Sequence, residues 1–261
     1  MKKRKTSGPK DEKSMTLVEH LTELRKRIIY SAIVFILAVS FCYSFVEKIT
    51  RNIIDIARDV KFIFIAPAEL LMSYIKLSVI GGLIISAPFL IFQIWLFVIP
   101  GLKSKEKRNI LFSLLLGSVF FIAGVTFAYF VVIPTLIVFF IGFQIEAIKP
   151  MISFNSYLSF VLGTIFTFGV IFELPILMVL LSRFGILKVS FLKKNRKFII
   201  LIIFVIAAIL TPPDVISQII LAGPMILLTE IGIFLAGLVE KKKESNTPNE
   251  ELMSKNVEEI T

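Results

Sequence analysis

The chain has 261 residues, of which 56% are hydrophobic, with 26 phenylalanines and a formal net charge of +10. A water-soluble domain of this length cannot hide so much apolar surface, because a core grows too slowly relative to the surface around it; an all-α, polytopic membrane protein is predicted instead. A single cysteine (Cys42) and a single histidine (His20) exclude a disulfide framework, a thiolate or His-rich metal site and a Ser-His pair buried in the membrane.

The first residues, MKKRKTSGPK, are polar and basic, and residues 1–14 are expected to be disordered. From Met15 the stretch MTLVEHLTELRKRI places apolar side chains at 17, 18, 21, 24 and 28, which is helical spacing. An amphipathic interfacial helix over 15–27 is predicted, running into a first span at about 28–46. That apolar run is too long for the core of a signal peptide and has no small-residue cleavage site after it, so it reads as a retained span. The segment 47–75 has helical pattern around 46–57 and 68–76 and is expected to form a structured cap.

Further spans are predicted at about 76–99, 110–133, 156–181, 198–210 and 215–238, six in all, with the last two short. The fifth, of about 13 residues, falls well below the roughly 20 that a perpendicular crossing needs. With the TPPD turn (211–214) it predicts a tight hairpin and a thin region of the protein. The tail 241–261 mixes charges, contains proline and lacks aromatics, a composition that predicts disorder.

Lys and Arg counts in short loops set orientation. Segment 1–27 has nine bases against four acids, 101–109 has four against one, and 182–197 has six against none. The alternate segments are balanced or acidic: 47–75 has four of each, 134–155 one of each, and 211–214 only Asp214. Both termini are therefore expected in the cytoplasm.

Ionisable residues in or near spans are costly and mark function by default. Lys76 lies at a span end and is expected to snorkel to the surface; Glu230 lies two turns from the end of the last span. Glu173 is mid-span, two residues before Pro175, which removes its own N–H and strips the Ile171 carbonyl of its helical partner. Glu173 reads either as a polar residue facing a groove or as a protonated, hydrogen-bonded structural carboxyl. In TPPD, Thr211 is expected to cap the last helix, with Pro212 at its first position and Asp214 completing a capping box. Gln218 is a polar residue one turn later. On the basic side, Glu23 reads as an i,i+4 partner of Arg27 or as part of a site, and Glu106, inside KSKEKR, as a solvated charge or as part of the same site.

The stretches HLTELRKRI (20–28), SAPFLIFQIWLFVIPGLKSKEKR (86–108), FAYFVVIP (127–134), SYLSFV (156–161), FGVIFELP (168–175) and TPPDVISQ (211–218) resemble those of the TatC family, the multi-spanning core of the twin-arginine protein translocase. They extend over about 15–240. The resemblance implies six spans, residence in the bacterial inner membrane, and recognition of paired arginines in the signal peptides of folded cargo. It implies that Glu23, Arg25, Phe97 and Glu106 belong to the signal-peptide site and Glu173 and Pro175 to a membrane groove. Thr211, Pro212, Asp214 and Gln218 would then contact single-span TatA-type and TatB-type partners, with several copies joined in a larger complex. Use of the proton-motive force is implied as well, and no Walker-type nucleotide motif occurs. No catalysis, cofactor, metal or nucleic-acid partner is expected. The rival reading is a small proton-coupled transporter with Glu173 as its coupling residue, against which stand the absence of a repeated half and the small number of spans.

Overall fold

The computed structural model describes residues 17–57, 60–98, 107–142, 151–211 and 214–258. The chain runs α1 (Leu17–Ser44), α2 (Val46–Asp55), β1 (Lys61–Ile63), α3 (Glu69–Val98), α4 (Lys107–Phe127), a π-helical turn (Ala128–Val132), α5 (Ile133–Ile141), β2 (Met151–Ser153), α6 (Phe154–Arg183), α7 (Val189–Lys194), α8 (Arg196–Leu210) and α9 (Val215–Glu258). Among the described residues five segments are long and apolar enough to cross a membrane: His20–Ser44, Glu69–Ile94, Leu115–Ile141, Phe154–Arg183 and Val215–Lys241.

α8 is the exception. Its 15 residues span about 22 Å at 1.5 Å per residue, short of a hydrocarbon core of about 30 Å. The shortness expected of the last two spans thus holds for α8 alone, because α9 stays apolar for 27 residues. α9 also remains helical to Glu258, where composition predicts a disordered tail. Once a span has formed, adding a helical residue costs far less than starting a helix, and KKKE and EELMSK are good helix formers.

α6 is the central element, in contact with α3, α4, α8 and α9. Its fully buried side chains include Leu158, Val161 and Phe168, which join Leu136, Leu221 and Met225 in the main apolar cluster. α1 packs mainly against α3, and the approach is close: a Cβ at Gly82 would stand 2.7 Å from the backbone nitrogen of Val39. Only glycine lets the two backbones meet there.

The third span passes through Pro134, a residue that breaks a regular helix. Pro134 has no N–H to donate and its ring crowds the carbonyl four residues earlier. The π turn at Ala128–Val132 absorbs the misfit, and the helix resumes in α5 to Ile141.

One end of the bundle carries the cap. β1 and β2 pair in parallel, Lys61 opposite Met151 and Ile63 opposite Ser153, a strand pair that an all-α reading does not include. Tyr157 donates to the carbonyl of Ile53 at 2.8 Å and Tyr129 to that of Asn52 at 3.4 Å, tying α2 to α6 and to the π turn. The Glu69 carboxylate accepts from the amides of Ile65 (2.6 Å), Ala66 (3.3 Å) and Asn155 (3.3 Å) and from the Ser153 hydroxyl. It thereby joins the start of α3 to the start of α6. Lys76 does not snorkel outward: its ammonium donates to Ser159 (2.7 Å) and Asn155 (3.4 Å) on α6, because partners within reach in the protein replace the distant water.

Candidate functional site

At the opposite end, the first turns of α1 meet the last turns of α3. The His20 and Phe97 rings stack with centroids 4.3 Å apart. One turn further along α1, Glu23 pairs with Arg27, whose guanidinium also donates to Gln93 at 3.3 Å across the helix pair. His20, Glu23, Leu24 and Arg27 share one helical face because they recur every three or four residues. Leu24, Arg27, Ile28, Gln93 and Phe97 line an apolar groove of about 410 Å³ between α1 and α3.

Arg27 engages only one oxygen of Glu23. The other, Oε2, is buried and has no hydrogen-bond partner among the described residues, and the same holds for Nε of Arg27. A buried carboxylate oxygen left unpaired is costly, and a second donor reaching it would remove that cost. The Glu23–Arg27 pairing that the sequence offers as the plain alternative is therefore made, and it leaves the carboxylate half free. Of the residues grouped by motif, Phe97 lines this groove, and Glu23 stands beside it through its pairing with the groove residue Arg27. Arg25 is exposed on another face of α1, and Glu106 lies outside the described residues. Gln93 and His20 are the neighbours that motif reasoning did not assign to the site. Gln93 carries a legible signal, being an amide in an otherwise apolar run.

Glu173 lies where α6 packs on α4. It is half-buried, its Oε1 is buried without a hydrogen-bond partner among the described residues, and a Cβ at Gly117 would stand 2.8 Å from its Oε2. Gly117 thus makes the space that the carboxyl occupies. Of the two readings of Glu173, the internally hydrogen-bonded structural carboxyl is missing its hydrogen bond at Oε1. α6 continues through Pro175, which is buried against α9 beside Gly232.

The turn between α8 and α9 corrects the capping assignment. Thr211 donates back to the carbonyl of Ala207 at 2.9 Å and finishes α8. Asp214 caps α9, its carboxylate accepting from the amide (2.7 Å) and the hydroxyl (2.5 Å) of Ser217. A carboxylate one residue before Val215 reaches the unpaired amides of the first turn, whereas Thr211 is four residues out. Pro212 lies outside the described residues; Gln218 is half-buried on the first turn of α9. Thr211 also lines an apolar cavity of about 540 Å³ beneath the cap, with Tyr157, Phe160 and Leu210.

Five membrane-length helices, a cap across one end, and carboxylates held in grooves rather than around a reaction centre define a polytopic membrane protein of a binding or transport class. The family model for the Sec-independent protein translocase protein (TatC) matches residues 19–224. A TatC of Carboxydothermus hydrogenoformans is 38% identical over 238 residues, 90% of this chain and 98% of that relative. A TatC of Desulforapulum autotrophicum is 40% identical over 242 residues, 91% of this chain and 90% of the relative. A crystal structure of the twin arginine translocase receptor TatC superposes with a TM-score of 0.77 at 37% identity, covering 85% of this chain and 99% of that one. The chain belongs to the TatC family of Sec-independent protein translocase components. It is a membrane protein of protein transport, a non-catalytic function.

Proposed function

We propose that the chain is the receptor subunit that binds twin-arginine signal peptides at the cytoplasmic end of the α1–α3 groove. The observation that carries this reading is the half-engaged Glu23 carboxylate beside the His20–Phe97 stack. A guanidinium is planar and binds a carboxylate through two parallel hydrogen bonds, a geometry that lysine cannot reproduce. Two adjacent arginines call for two carboxylates, and Glu23 with Glu106 would supply them, with Phe97 beside Glu23 and Arg25 exposed on another face of α1 near the same end. The lysines around Glu106 would repel generic basic segments.

The apolar part of the signal would lie along the membrane towards Glu173 and Pro175. Thr211, Pro212, Asp214 and Gln218 would meet the single-span TatA-type and TatB-type partners, where the short α8 thins the protein. In this reading six segments cross the bacterial inner membrane, α8 included, with both termini cytoplasmic as the loop charges indicate. Several copies assemble with the partners, and the proton-motive force drives passage of folded cargo. The family match, together with a solved relative that is itself a twin arginine translocase receptor, supports this assignment over a proton-coupled solute transporter.

The test is export of a folded reporter carrying a twin-arginine signal in cells whose only copy is this chain. Glu23→Gln keeps the shape and removes the charge, and is expected to reduce export at least about tenfold with the protein still in the membrane, the loss of about one hydrogen bond to a charged group. Undiminished export in both the Glu23→Gln and Glu106→Gln variants would contradict the assignment of the site.

A further inference from the structure

A second groove, of about 960 Å³, opens at the end of the bundle where α7 folds against α9. Four cations stand around it: Lys188, Lys193, Arg196 and Lys241. Two carboxylates share the rim, and both are engaged within the protein. Glu230 pairs with Arg196 at 2.8 Å, and Glu240 accepts from the amide of Val189 at 3.1 Å. The rim is therefore net positive, and its three lysines are exposed.

The floor is apolar and points away from the protein. Leu227, Ile231, Phe234 and Leu238 recur at intervals of four, three and four, and so form one stripe along α9. All four are exposed. The stripe is about 16 Å long at 1.5 Å per residue, close to half of a hydrocarbon core of about 30 Å, one leaflet deep.

A ligand that fits must carry negative charge at one end and an apolar body about one leaflet long at the other. We propose that this groove binds an anionic phospholipid, its phosphate among Lys188, Lys193 and Lys241 and an acyl chain along the Leu227–Leu238 stripe. Charge complementarity selects an anionic over a zwitterionic headgroup, since both carry the phosphate but only the zwitterionic one brings a cation that the clustered lysines repel. The stripe selects a lipid over free phosphate. The site depends on the membrane placement of α9 and is independent of how the signal peptide is recognised.

The test uses the full chain purified in neutral detergent, with retained lipid counted by native mass spectrometry. The probes are dioleoylphosphatidylglycerol, dioleoylphosphatidylcholine and inorganic phosphate. Expected is retention of phosphatidylglycerol about tenfold above phosphatidylcholine, falling about tenfold or more in Lys188→Gln, Lys193→Gln and Lys241→Gln combined, since each lysine near the headgroups adds to the attraction. The charge-matched control Lys48→Gln, Arg51→Gln and Lys61→Gln at the cap end should retain it, and so should the triple Lys→Arg variant of the groove. The single exposed change Lys193→Gln should weaken it severalfold should the triple glutamine variant not fold. Equal retention of the two lipids, or equal loss in the groove and control variants, would overturn the proposal. So would full displacement of phosphatidylglycerol by inorganic phosphate, which marks a free-anion site. Loss of a dimer together with the lipid would assign the groove to a second copy of the chain instead.

Discussion

Gly117 and Glu173 form a pair in which the absence of one side chain makes room for the other. Alanine at 117 would place its Cβ 2.8 Å from Glu173 Oε2, so the carboxyl must swing or α4 must move. Because Oε2 is the far end of a flexible side chain it can swing aside, so the cost lies at or below the low end of the range for core overpacking, about 1–3 kcal/mol. Gly117→Ala is predicted to lower the thermal midpoint in detergent and to reduce export. Adding Glu173→Ala should recover most of the lost stability, and strictly additive losses in the double variant would show that the two residues do not meet. Glu173 and Pro175 stand out in the sequence as a charge and a helix breaker within an apolar run. Gly117 does not, because what marks it is the identity of its neighbour across the helix interface. Glu23 is similar: its pairing with Arg27 follows from i,i+4 spacing, whereas the Gln93 contact joins residues 66 positions apart.

At the scale of elements, the long apolar runs specify the spans, and their boundaries move by a turn or more where tertiary partners act. α3 runs unbroken from Glu69, joining the helical pattern at 68–76 to the span expected from about 76, and the Glu69 carboxylate closes the turn at Ile65 and Ala66 and ties it to α6. The third span passes Pro134 because a π turn absorbs the proline. β1 and β2 are three residues each, too short for an alternating pattern to declare itself, and each becomes a strand only by meeting the other. The α8–α9 turn yields a prediction of its own. Asp214→Ala removes the cap of α9 and should cost about 1 kcal/mol by thermal or denaturant unfolding. Thr211→Val, which leaves that cap intact, should cost distinctly less. The reverse order would return the cap to Thr211.

For the molecule as a whole, composition was enough to predict a polytopic helical protein, and the motifs were enough to resemble the TatC family. What they could not supply is the arrangement: α6 at the centre, α1 on the flank against α3, and two grooves at the basic end with different chemistry. The α1–α3 groove is bordered by the Glu23–Arg27 pair and the His20–Phe97 stack, whereas the α7–α9 groove presents lysines over an apolar stripe. That contrast suits an arginine-bearing signal to the first and an anionic headgroup to the second.

The central claim is that carboxylate geometry distinguishes an arginine pair from a lysine pair. The most direct measurement is the affinity of the purified protein for a twin-arginine signal peptide and its twin-lysine counterpart, before and after Glu23→Gln and Glu106→Gln. A hydrogen bond to a charged group is worth about 1.5–3 kcal/mol, so the arginine peptide should bind at least about tenfold more tightly, each 1.4 kcal/mol being a factor of about ten. Either substitution should remove most of that preference. Equal affinity for the two peptides, or a preference that survives both substitutions, would contradict the account.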